Sequence, residues 1–265
     1  MATLYLVGLG LRDEKTLSLE ALEILKNSST VFFEDYTNFI KKDTFFKLEA
    51  LLEKKLIHLT REEVENEKII LHALKNGDCS LIVPGEALIA TTHHSLVLDA
   101  IKQNHKIKVI HSSSIVCAAI SLSGLHVYKF GKICTIPFWK ENYSPTSFLD
   151  TLKENKKIKA HSLCLLDLDE NSNPMSIKKA LEIIFLAQKK RKYKLFNQST
   201  KIIILSKVSW NDQIIWAGQI KDLKHNISGP AVIIFPAKMH FLEEEYFNLL
   251  KGLYSNQSSN ENNAV

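Results

Sequence analysis

The sequence predicts an α/β protein built from two consecutive α/β domains, with mostly parallel or mixed sheets and a cleft between the domains. Three observations carry that prediction. Short β-rich apolar runs alternate with longer segments of helical period. The alternation breaks near residue 128 and then resumes. The chain has 265 residues, enough for two domains of ordinary size. We place the domains at 1–127 and 128–254, followed by an Asn- and Ser-rich tail, 255–265, that is expected to be disordered. Small ligands commonly bind where two domains meet.

Each element follows from its residues. Leu4 to Val7 is β-rich and ends at a glycine, so it reads as a strand. The next helix has Thr16 or Ser18 near its N-cap and Leu19, Leu22, Ile24 and Leu25 on its buried face. Val31 to Phe33 is a strand, Phe45 to Lys54 a helix and Lys55 to Leu59 a short strand. Glu62 to Leu74 alternates charged and apolar residues at helical spacing. Cys79 to Val83 is a buried strand broken by Pro84-Gly85; a helix over 92–103 and a strand over 107–110 follow. Ser112-Ser113-Ser114 can cap one more helix. Tyr128 to Trp139 reads as strand and loop. Beyond it lie strands at 162–168, 201–206 and 231–235, a helix over 176–190 and a last helix over 242–250.

Composition narrows the function classes. Hydrophobic residues make up 45% and charged residues 24%, as in a soluble globular protein. No stretch approaches the roughly 18 apolar residues of a membrane span. With no targeting segment visible, a cytoplasmic location is expected. The net charge of +5 is mild and spread along the chain, so no direct nucleic-acid partner is expected. The four cysteines, Cys79, Cys117, Cys134 and Cys164, sit in apolar runs without a CxxC spacing. They read as buried reduced thiols rather than metal ligands, and no metal is expected.

Three segments have the residue types of a ligand site. Gly8-Leu9-Gly10-Leu11 follows the first strand, where glycines let the backbone approach a ligand. A dinucleotide fingerprint would want a third glycine at position 13, where Asp13 stands. Pro84-Gly85-Glu86-Ala87 leaves the carboxyl end of a buried strand, the usual ligand side of a parallel sheet. Glu86 could accept hydrogen bonds from an amine or from ribose hydroxyls. His93 is either a proton-transfer group or a polar residue at a helix start. Ser114 lies at a helix N-terminus, which favours a carboxylate. His126, Tyr128 and Phe130 alternate as one face of a strand would.

Taken in order, these segments resemble the diphthine synthases of the tetrapyrrole-methylase superfamily, class III methyltransferases. The resemblance runs to about Leu250 and rests on Tyr5 to Glu14, Pro84 to His93, Gly124 to Lys132, Ser144 to Phe148, His161 to Asp167, Ala217-Gly218 and Pro236 to His240. One departure stands out: Gly85-Glu86-Ala87 replaces the family's usual Gly-Asp-Pro. The resemblance implies S-adenosylmethionine as cofactor, contacted by Leu11, Glu86, Ile89, Ser114, Ile115, Leu166, Val208 and Ala231. It implies a homodimer. It also implies a substrate: a histidine of translation elongation factor 2 that already carries an aminocarboxypropyl group, methylated on its amino group during diphthamide biosynthesis. It names no catalytic residue. The competing readings are a sibling methylase acting on a tetrapyrrole or on an rRNA ribose, and a non-enzymatic RNA-binding module suggested by Lys189 to Lys194.

Overall fold

The first apolar run forms strand β1 (Thr3–Gly8). Ser18 accepts the Ala21 N–H and so starts helix α1 (Leu19–Asn27). Strand β2 (Thr30–Phe33), helix α2 (Asp43–Leu52) and the short strand β3 (Ile57–His58) follow. The segment expected as one helix over 62–74 is two, α3 (Arg61–Asn66) and α4 (Lys68–Ala73). A capping box between Thr60 and Glu63 starts α3, and Glu67 at φ 63° separates the pair. Strand β4 (Cys79–Val83), helix α5 (His94–Lys102) and strand β5 (Lys106–Ile110) complete this half.

The computed structural model describes residues 1–224 and 226–261. The chain divides into two units, Met1–Ile115 and Val116–Val265, so the break falls ahead of the boundary placed after residue 127. In the first unit the strand order is β3-β2-β4-β1-β5, and every pairing is parallel. Alternate side chains pack on opposite faces of this sheet. Leu4 and Leu6 join Leu74 and Leu96 in one cluster, whereas Val7 joins Leu25 and Leu48 in another. All five residues of β4 are buried, as a strand covered on both faces must be. In α1 the buried residues are Ala21 and Leu25; Leu19, expected on that face, is exposed.

The second unit holds α6 (Ile115–Ser123, whose first residue closes the first unit), β6 (Cys134–Ile136), α7 (Phe148–Lys157), β7 (Ser162–Leu166) and α8 (Ile177–Arg191). Strands β8 (Lys201–Ser206), β9 (Ile214–Gln219) and β10 (Ala231–Phe235) and helix α9 (Phe241–Glu261) follow. The sheet order is β6-β7-β10-β8-β9. Only β6 and β7 pair in parallel; the other pairings are antiparallel. Its core gathers Ile136, Leu149, Ile184, Ile204 and Ile233. Burying such a side chain fully is worth roughly 1.5–3 kcal/mol. The last helix extends through Glu261, into the tail expected to be disordered, and residues 262–265 lie outside the described residues. The segment containing His126, Tyr128 and Phe130 is a 3-10 turn over Val127–Lys129 rather than a strand face, and Tyr128 is exposed.

Candidate active site

The strand order places the first unit's loops. The chain leaves β1 toward β2, on the β4 side of β1, while it leaves β4 toward β5, on the opposite side. The carboxyl ends of β1 and β4 therefore flank a topological switch point, where open α/β sheets bind ligands. Gly8 to Leu11 exits β1 there, and Pro84 to Ile89 exits β4.

The two loops are bonded to each other. Gly10 N–H donates to the Gly85 carbonyl at 3.1 Å and Gly85 N–H returns a bond to Gly10 at 2.8 Å. A Cβ on Gly8 would come within 2.7 Å of the Gly85 oxygen and 2.8 Å of the Ser112 Cβ. At Gly10 (φ 88°), a Cβ would meet the Thr16 side chain at 2.9 Å. These two glycines thus let neighbouring chain segments close on one another, a different reason from the ligand approach expected of them. Gly85 (φ 83°) differs, since a Cβ there would meet nothing within 4 Å. The open approach belongs to Gly85.

Glu86 is nearly buried, its side chain 9% exposed. Its carboxylate accepts the Ser112 N–H at 2.7 Å and lies 3.0 Å from His111 Nδ1. The acid therefore ties the β4 loop to the β5 loop, rather than standing clear for an amine or ribose. Ser114, at the end of that loop, is buried, and Ile115 is the first residue of α6. Ile89 is exposed and Leu11 half-buried. Ala87, where the family usually has proline, is fully buried, and its carbonyl meets His93 Nδ1 at 3.0 Å.

His93 is itself buried, with Nε2 3.2 Å from the Tyr36 hydroxyl. Burial pushes its pKa below the ordinary histidine value. Tyr36 follows Glu34, which leaves the carboxyl end of β2 fully buried. The Glu34 carboxylate accepts the N–H groups of Tyr36 and Thr37 and the Thr37 hydroxyl. Burial outweighs those bonds and raises its pKa to about 7. Sequence reasoning missed Glu34, Tyr36 and His111. The available signal was the position of Glu34-Asp35-Tyr36-Thr37 at the end of a predicted strand, the same place that made Glu86 a candidate.

In the second unit, Leu166 ends β7, Ala231 begins β10 and Val208 lies two residues past β8. Antiparallel pairing brings the start of β10 beside the ends of β7 and β8: Val232 faces Leu165 and Ala231 faces Ser206. The three positions therefore share one end of that sheet. Elsewhere in this unit Glu243, 0% exposed, gathers the N–H groups of His126 and His240, the Lys129 ammonium and His161 Nε2. This hub joins Gly124–Lys132 to Pro236–His240, two of the segments singled out in the sequence. Among the described residues no group of three or more His, Cys, Asp or Glu is placed to hold a metal. Of the cysteines, Cys79 and Cys164 are buried and Cys134 is half-buried, whereas Cys117 is exposed, contrary to expectation.

The chain is similar to known proteins over nearly its whole length. Residues 3–224 match the family described as Tetrapyrrole (Corrin/Porphyrin) Methylases. The diphthine synthase of Methanothermobacter thermautotrophicus is 34% identical over 252 residues, 94% of this chain and 96% of that protein. That of Methanocaldococcus jannaschii is 34% identical, covering 93% of this chain and 98% of its own. The chain belongs to the diphthine synthase group of the tetrapyrrole methylases. It is a methyltransferase. A crystal structure of a candidate diphthine synthase from Entamoeba histolytica superposes with a TM-score of 0.84 at 30% identity, over 94% of this chain and 98% of that one. A second crystal structure of a diphthine synthase gives 0.84 at 28% identity, over 94% and 96%. No described helix is long and apolar enough to cross a membrane.

Proposed function

We propose that this methyltransferase uses S-adenosylmethionine to methylate the amino group of the aminocarboxypropyl-histidine precursor on translation elongation factor 2, a step of diphthamide biosynthesis in the cytoplasm. The observation that carries this reading is the 34% identity to diphthine synthases over nearly the whole chain.

The residues present suit the cofactor. Gly85 leaves room at the switch point, and Leu11 and Ile89 offer apolar surface beside it. Ser114 and Ile115 open α6, whose N-terminal N–H groups favour a carboxylate. Leu166, Val208 and Ala231 supply small or apolar contacts at one end of the second sheet. When bound, the cofactor supplies an activated methyl group. The protein's part is to align the acceptor amine and exclude water, and such alignment can be worth an effective molarity of about 10⁵–10⁸ M.

The deciding experiment incubates the chain with S-adenosylmethionine and elongation factor 2 bearing the precursor, then measures the mass added to the factor. An increment of one or more methyl groups is expected; an unchanged mass with a correctly folded enzyme overturns the proposal. Light scattering should give twice the chain mass of 30.1 kDa, because we also propose a homodimer.

A further inference from the structure

Tyr36 and the buried His93 form a hydrogen-bonded pair beside the candidate cofactor loop. Strands β2 and β4 are parallel neighbours, so Tyr36 and Pro84–Ala87 leave the same edge of the sheet. The pairing settles the protons. The Ala87 carbonyl can only accept, so His93 Nδ1 carries the hydrogen directed at it, 3.0 Å away. The neutral ring then presents a lone pair on Nε2, and the Tyr36 hydroxyl donates to it across 3.2 Å. Tyr36 is half-buried, and its hydroxyl also meets the Thr92 side chain; of the two lone pairs on the phenol oxygen, one is left to accept a bond from the substrate.

We propose that the Tyr36–His93 pair removes the proton from the amino group that is methylated, an assignment that rests on the methyltransferase reading above. An ammonium has no lone pair and cannot take a methyl group. Its N–H donates to the Tyr36 oxygen. As that proton reaches the oxygen, the phenolic proton moves to His93 Nε2. The ring becomes an imidazolium with Nδ1–H still held by Ala87, and the amine now has a free lone pair for the incoming methyl. The imidazolium then returns its proton through Tyr36 to water, which restores the starting state. A second or third methylation repeats the same transfer.

The surroundings support a pair that rests neutral. Burial lowers the pKa of His93 and raises that of Tyr36 to about 12, so at neutral pH the ring is an acceptor and the phenol keeps its proton. The charged and titratable groups facing the pair are Glu34, Arg61, Glu65 and His94. Glu34 is bonded to its own loop. Arg61 and Glu65 form an ion pair at 2.8 Å, with the Arg61 guanidinium carbon 6.0 Å from the centre of the Tyr36 ring. Glu65 favours the transient imidazolium, whereas His94 opposes it.

The test compares Tyr36→Phe with the parent in single-turnover methylation of precursor-bearing elongation factor 2 across pH 6–10. General-base removal should lower kcat by about 10²–10⁴ at neutral pH. The variant should recover as rising pH deprotonates the amine directly, with KM and calorimetric affinity for S-adenosylmethionine changed less than threefold. Independently of activity, nitrogen-15 spectra of His93 should show the Nδ1–H tautomer, with an Nε2 shift that moves in Tyr36→Phe. If Tyr36→Phe does not fold, a fluorinated tyrosine at position 36 keeps ring and hydroxyl while weakening the oxygen as a base, and kcat should fall with affinity intact. Unchanged kcat and pH profile in a folded variant would overturn the relay. A parent enzyme that transfers no methyl would instead refute the function on which it rests.

Discussion

Two glutamates, one in each unit, are both fully buried, yet their carboxyl groups are pushed in opposite directions. Glu34 is raised to about 7, whereas Glu243 is lowered to about 2. For both, burial is the largest influence and acts to raise the pKa. Glu34 meets that cost only with hydrogen bonds from Tyr36 and Thr37. Glu243 has the Lys129 ammonium, reinforced by the N–H groups of His126 and His240 and by His161. A buried carboxylate stays charged when a cation joins its donors, and leans toward neutrality when donors alone surround it.

The largest expected effect breaks the ion pair. Glu243→Gln leaves the Lys129 ammonium without its carboxylate, with only the Lys238 carbonyl to receive it, and should cost about 3–5 kcal/mol in urea denaturation. Adding Lys129→Met to that variant should recover part of the loss, because the stranded charge is then gone. Equal stability of the single and double variants would show that Lys129 finds water instead, and that the cation does not explain the contrast.

The pH dependence comes next. Glu243 titrates lower in the folded chain than its ordinary value of 4.5, so its contribution is complete above pH 4.5 and is lost as pH falls toward 2. Glu34 titrates higher when folded, so folding is favoured most below pH 4.5 and loses that advantage as pH rises toward 7. Each shift corresponds to a change on the order of 3 kcal/mol. Thermal midpoints of Glu34→Gln should therefore gain on the parent between pH 5 and 8. A constant offset across that range would mean that Glu34 stays ionised throughout.

Glycines sharpen the contrast between packing and ligand access. Gly10→Ala combines a left-handed backbone with a contact of 2.9 Å to Thr16, and should destabilise by about 2–4 kcal/mol. Gly85→Ala meets no neighbour and should cost only the backbone strain, about 1–2 kcal/mol. Its Cβ lies where we propose the cofactor approaches, so calorimetry should show weakened S-adenosylmethionine binding in a folded protein. Normal binding by Gly85→Ala would move the cofactor away from this loop.

Most of the first unit was legible from local pattern. Cys79–Val83 is apolar and β-rich over a strand's length, and Ser18 stands where a cap belongs. Glu67 was not legible, because a helical hydrophobic period continues across it while the backbone turns left-handed. Strand β9 was missed because Ile214 to Gln219 lacks clean alternation and is held as an edge strand by β8. Helix α7, Phe148–Lys157, was obscured by its many polar residues, although Phe148, Leu149 and Leu152 keep helical spacing. At the site, residue types and loop positions were readable, but partners were not. Nothing in the sequence says that Glu86 finds Ser112 and His111, or that His93 finds Tyr36, since those contacts depend on strand order.

Glu86 supplies the smallest expected effect. Its side-chain partner, His111, is 80% exposed, so the contact is screened by water and worth little to stability. The Ser112 N–H bond is the more protected contact. Glu86→Gln keeps an oxygen able to accept that N–H, and should shift stability by less than about 1 kcal/mol. Glu86→Ala strands the N–H and should cost about 1–3 kcal/mol. The same two variants separate two roles in binding. If the carboxylate serves by holding the Ser112 loop in place, Glu86→Gln should bind S-adenosylmethionine within a few-fold of the parent while Glu86→Ala binds distinctly less well. If both lose roughly 10- to 100-fold, the cofactor feels the charge itself, since a hydrogen bond to a charged group is worth about 1.5–3 kcal/mol.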